Sequence, residues 1–179
     1  MSRAFIFALL VLLSPAHILA KDGFGRPQLA VSGSTLKLSV AFSDPSQWDG
    51  KRVPRTMQCP RLGGQDPASP GLNVTNIPEA TKSLVMFINN VRAYDNHGLV
   101  RITDGRDGTT WTIPPLRSRA PVAALPQGIE LFDGGNMNGG AYAAPCPPGG
   151  SWQYIITVYA LGEKDEVLAL GEISMGWAP

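Results

Sequence analysis

"GGAYAAPCPPGGSWQY", Gly139 to Tyr154, sets four glycines and three prolines around one cysteine and leads directly into the apolar run "YIITVYAL", Tyr154–Leu161. Proline lacks the backbone N–H a sheet needs, and glycine admits positive φ, so the first part reads as a structured loop. Composition alone leaves three roles for that loop: a disulfide corner, a ligand cradle or a plain turn. The run that follows is almost continuously apolar, as expected of a central strand covered on both faces. "SLVMFIN", Ser83–Asn89, has the same character.

Working outward, the chain repeats this alternation of breaker clusters and short apolar runs. The runs are "LKLSVAF" (36–42), "LVRIT" (99–103), "WTI" (111–113) and "GEISMGW" (171–177), and the 20 glycines and 16 prolines are spread between them. Such runs read as strands. Only "GEKDEVLAL", Gly162–Leu170, has a pattern compatible with a short helix. The fold class expected is mostly β: antiparallel β-sheets packed face to face as a sandwich, with few short helices.

The N-terminus has the layout of a secretory signal peptide, with Arg3, the apolar core "FIFALLVLL" (5–13) and a small residue at Ala20. That core is far short of the roughly 20 residues needed to cross a bilayer, so no membrane span is expected. The organisation expected is a signal peptide over 1–20, a flexible arm over 21–34 and one domain over 35–179. The protein would be exported, periplasmic or secreted. Loss of Arg3 takes the basic count from 15 to 14, equal to the 14 acidic residues. A neutral chain has no electrostatic footprint for nucleic acid. Lys51, Arg52 and Arg55 read as a solvated polar loop.

Cys59 and Cys146 are the only cysteines. An even pair in an exported chain suggests a disulfide, and two buried thiols are the alternative. Two cysteines and one distant histidine do not make a zinc site, so neither metal nor cofactor is expected. No nucleophile elbow, phosphate-binding loop or H-E-x-x-H helix is present. A Ser-His-Asp arrangement would have to use His97, without support from a local motif. Asp95, Asp104 and Asp107 lie in turn-like segments, where their side chains bond the nearby backbone. "NVT" at Asn73 is a glycosylation sequon. No catalytic residue is named, and the expectation is a protein without enzymatic activity.

Four segments in order resemble the phosphatidylethanolamine-binding proteins, especially the bacterial branch described as Raf-kinase-inhibitor-like. They are "VAFSDPSQWDGKRVPRTMQCPRLGGQDPASPGL", "IPEATKSLVMFIN", "GGAYAAPCPPGGSWQYIITVYAL" and "LGEISMGW". The resemblance spans Leu36 to Trp177. It implies a β-rich domain with a large and a smaller sheet and a shallow anion pocket at one end. Family members bind phosphorylated headgroups or inhibit kinases and proteases. The loop containing Pro145–Pro148 then becomes one wall of the pocket, with Cys146 joined to Cys59.

The departures concentrate in that pocket. Asn89, Asn90, Val91 and Arg92 stand where the family has Asp-Asp-Pro-Asp, and Trp152, Gln153 and Tyr154 replace its His-Arg-Tyr. The family's His-Trp pair has two registers here, His97–Gly98 or Thr110–Trp111. The ligand-binding residues expected are Asn90, Arg92, His97, Pro147, Pro148, Trp152 and Tyr154. Arg92 and the backbone near Gly149 and Gly150 would face an anion. The expectation is an exported binding or inhibitory module with a remodelled pocket for a small anionic or phosphorylated ligand, or for a protein partner. The alternative is a structural or interaction domain with a vestigial pocket, which a Trp152 buried over a closed pocket would favour. The segment after "YAL" is also short. The face that the family's helix covers would be exposed, or covered by the N-terminal arm or a partner.

Overall fold

A computed structural model describes residue 29, residues 31–93 and residues 95–179, with the backbone only for residues 31–35. The signal segment and residues 21–28 of the arm lie outside the described residues. Among the described residues ten strands form: β1 (Val31–Lys37), β2 (Ser39–Phe42), β3 (Leu72–Thr75), β4 (Ser83–Asn90), β5 (Asn96–Ile102), β6 (Arg106–Asp107), β7 (Thr110–Ile113), β8 (Ile129–Leu131), β9 (Trp152–Leu161) and β10 (Val167–Ala178). The only helices among the described residues are three single 3-10 turns, at Arg55–Met57, Pro60–Leu62 and Val122–Ala124.

A six-stranded sheet has the order β1-β10-β9-β4-β5-β8, and a four-stranded sheet the order β2-β3-β7-β6. The two apolar runs are the middle strands of the large sheet, and every residue of β4 is buried. Alternation along these strands divides them between two cores. Leu84, Met86 and Ile88 of β4, with Ile156, Val158 and Ala160 of β9, pack with Leu72, Val74, Trp111 and Ile113 of the small sheet. On the opposite face Val85, Phe87, Leu99, Phe132, Leu161 and Val167 form a second cluster, which Leu29 of the arm joins.

Three expectations change. "GEKDEVLAL" is not helical. Gly162 N–H donates to Glu166 O at 2.9 Å, Asp165 takes φ 59°, and Val167 opens β10 in register with Leu161. Val167 and Ala169 are buried while Leu168 and Leu170 are half-buried, a period of two that a hairpin satisfies and a nine-residue helix does not. Second, the sheets are not wholly antiparallel, because β1 runs parallel to β10. Third, "LKLSVAF" is two strands. Leu38 is buried in the main core and its N–H bonds Leu170 O at 2.9 Å, so the chain leaves the large sheet there and enters the small one at Ser39. Residues 31–34, assigned above to the arm, belong to β1.

Candidate ligand-binding site

At one end of the large sheet, the start of β5, the start of β9 and the Pro-rich loop enclose an open cleft of about 750 Å³. β4 ends at Asn90 and the chain turns through Val91–Ala93 to Asp95 and β5. Asn90 is fully buried: its Oδ1 accepts the Ala93 N–H at 2.6 Å and its Nδ2 donates to Asp95 Oδ2 at 3.3 Å. The side chain therefore shapes the turn that delivers Asp95 and His97 to the cleft.

His97 is buried, and its Nδ1 lies 2.9 Å from Ala143 O. A carbonyl only accepts, so Nδ1 carries the proton and Nε2 is left as an acceptor. Burial lowers the His97 pKa below its ordinary value, against smaller raising effects of the Ala143 bond and Asp95. The ring stands edge-on to Tyr154, with centroids 5.0 Å apart. Tyr154 is pushed up to about 12 chiefly by burial, partly offset by its hydrogen bond with the Cys146 backbone. Tyr142, also fully buried, lines the cleft, and its hydroxyl has no partner. Burial and the neighbouring Tyr154 push its pKa up as well, so both phenols stay protonated donors near neutrality.

The Pro-rich loop is fixed from below. Cys59 and Cys146 form a disulfide, Cys59 N–H donates to Pro145 O at 3.0 Å, and the Arg61 guanidinium donates to Cys146 O at 3.2 Å and to Pro147 O. Trp152 is half-buried on the cleft wall, with Nε1–H donated to Gly149 O at 3.1 Å. The exposed Arg92 lies over its ring, 5.7 Å from the centroid.

The structure therefore brings His97, Pro148, Trp152 and Tyr154 together in the cleft and leaves Asn90, Arg92 and Pro147 off its lining. Asn90 caps a turn, Arg92 backs the indole, and Pro147 is buried beneath the loop. Gly149 and Gly150 do not line it either. Trp111 is a core residue of β7 that donates its Nε1–H to Asp104 O, so His97 alone represents the His-Trp pair in the cleft. Tyr142, Asp95, Ser118 and Arg119 also line the cleft, outside the ligand-binding set expected from the sequence. Tyr142 had a signal, its place inside "GGAYAAPCPP"; Asp95 was read only as a turn residue. No group of three His, Cys, Asp or Glu that could hold a metal occurs among the described residues.

The family model for phosphatidylethanolamine-binding proteins matches residues 43–176. The chain belongs to the phosphatidylethanolamine-binding protein family. The Escherichia coli protein YbcL, described as a new member of the mammalian PEBP family, superposes with a TM-score of 0.58 at 19% identity, over 79% of this chain and 97% of YbcL. CT736 of Chlamydia trachomatis, described as a PEBP homologue, aligns at 18% identity over 81% of this chain and 99% of its own, with a TM-score of 0.49. No curated protein matches the sequence. Within this PEBP fold the cleft sits on the Pro-rich loop of residues 139–151. No helix among the described residues is long and apolar enough to cross a membrane.

Proposed function

We propose that this chain is an exported PEBP-type binding or inhibitory module, without catalysis of its own, whose cleft takes a small anionic or phosphorylated ligand. The observation that carries the reading is the Tyr142 hydroxyl, buried on the cleft wall without a partner. A buried hydroxyl left unsatisfied costs about 1–3 kcal/mol, which a ligand oxygen accepting from it recovers. Tyr154 and Arg119 add donors on the same lining, and neutral His97 offers Nε2 to a protonated ligand atom. The cleft is open and Trp152 stands on its wall rather than sealing it, which favours a ligand site over a vestigial pocket. Export is supported by the leader-like N-terminus and the disulfide.

A thermal-shift titration tests the ligand. Phosphoethanolamine and inorganic phosphate should raise the melting temperature of the wild type, since a ligand at a hundredfold excess over Kd stabilises the folded state by about 2.7 kcal/mol. Tyr142→Phe should respond at least several-fold more weakly. A wild type that responds to no anion sinks this reading and leaves the interaction domain. Mass spectrometry of the exported protein should find Lys21 as the first residue.

A further inference from the structure

A second cavity, of about 470 Å³, lies on the other side of the disulfide-tied loop. Arg52, Val53, Arg55, Gln58, Leu62 and Trp177 form most of its lining. Gln58 belongs to this cavity, while its chain neighbour Cys59 belongs to the cleft. The geometry is held by backbone. Trp177 N–H donates to Lys51 O at 3.0 Å, Val53 N–H donates to Trp177 O at 3.1 Å, and Asp49 Oδ1 accepts the N–H groups of Lys51 and Arg52. The end of β10 thus fixes the basic loop beside an indole that is 48% exposed.

Three features distinguish this place from an ordinary charged surface. Neither Arg52 nor Arg55 has an ion-pair partner among the described residues. The Arg55 side chain lies over Gly63, where an added Cβ would come within 3.0 Å of its Nε, so a residue without a side chain there leaves room for the guanidinium at the cavity. Gln58 is 4% exposed, and its Nε2 donates to Val53 O at 2.9 Å, which fixes the orientation of the amide. Its Oε1 is then a buried acceptor with no partner.

We infer that this cavity is a second binding site, for a small organic anion with a flat apolar body and one hydrogen-bond donor. The guanidinium groups of Arg52 and Arg55 take the carboxylate or phosphate, the exposed indole of Trp177 takes the flat body, and Gln58 Oε1 accepts from the donor. The site is separate from the cleft and does not depend on what the cleft binds.

Titration of the full chain with 4-aminobenzoate, benzoate and inorganic phosphate, followed on the Trp177 indole N–H by NMR, tests the assignment. Trp177→Phe identifies the signal. The 4-aminobenzoate titration should move it saturably. The double substitution Arg52→Gln, Arg55→Gln should weaken that response at least about tenfold, as expected for lost charge-assisted bonds. Tyr142→Phe should leave it unchanged, which separates this result from any failure of the cleft to bind. A Trp177 signal that none of the three compounds moves, or that moves equally in the double variant, overturns the site. Equal affinity for benzoate and 4-aminobenzoate removes Gln58 from it. Both arginines are exposed, and a melting curve checks that the double variant is folded.

Discussion

The hydroxyls of Tyr142 and Tyr154 share one cleft but have opposite status in the free protein. Tyr154 bonds the Cys146 backbone, whereas Tyr142 has no partner. Tyr154→Phe should therefore lose about 1 kcal/mol in denaturant unfolding, while Tyr142→Phe should be at least as stable as wild type. A large loss in Tyr142→Phe would mean that the hydroxyl is already satisfied. His97 gives a pH signature. Its folded pKa is lowered by burial, so below about 6.5 the unfolded chain takes up a proton that the folded chain resists. Stability is complete above that pH and falls as the medium is acidified toward the folded value. The melting temperature of wild type should drop between pH 7 and pH 5.5 more steeply than that of His97→Asn. Parallel slopes would show that His97 carries none of the dependence.

Elements place these residues through a few close approaches. Gly171 lies where β10 crosses the end of the small sheet, and an added Cβ would meet Leu38 O at 2.7 Å, Leu38 Cβ at 2.9 Å and Val40 Cγ2 at 2.9 Å. Gly171→Ala should cost about 1–3 kcal/mol by overpacking, measurable by chemical denaturation. A neutral effect would mean that the two sheets can separate locally. The β4–β5 turn rests on Asn90, whose loss would free the Ala93 N–H and release Asp95. The β9–β10 hairpin shows how little local helical character counts against a register: its turn takes only the five residues Gly162–Glu166 because both flanking strands already pair. The shortness of that connection leaves the outer face of the large sheet to other cover, and Leu29 takes a place on it.

At the scale of the molecule, the disulfide closes 87 residues and joins two walls of the cleft. Replacing both cysteines by alanine should remove on the order of 4 kcal/mol in the chain-entropy account, read as a lower melting temperature that reducing agent no longer changes. The same variant should lose part of any anion response, because the Arg61 side chain and the backbone N–H at position 59 then hold the Pro-rich loop by hydrogen bonds alone. The sequence by itself determined the strand-rich class, the two central strands and the family. These depend on local pattern: apolar runs of three to eight residues between breakers, and an ordered set of loop motifs. Which residues meet in the cleft was decided only by tertiary structure. Asn90, Arg92 and Pro147 are neighbours of cleft residues along the chain, yet each is turned to a structural task. Tyr142 and Arg119 arrive from separate loops, joined by Arg119 N–H on Tyr142 O at 3.2 Å. A strand residue's neighbours along the chain fix which face of a sheet it lies on. Its neighbours across the gap between loops are set by register and crossover, and those are long-range packing choices that no short window of sequence contains.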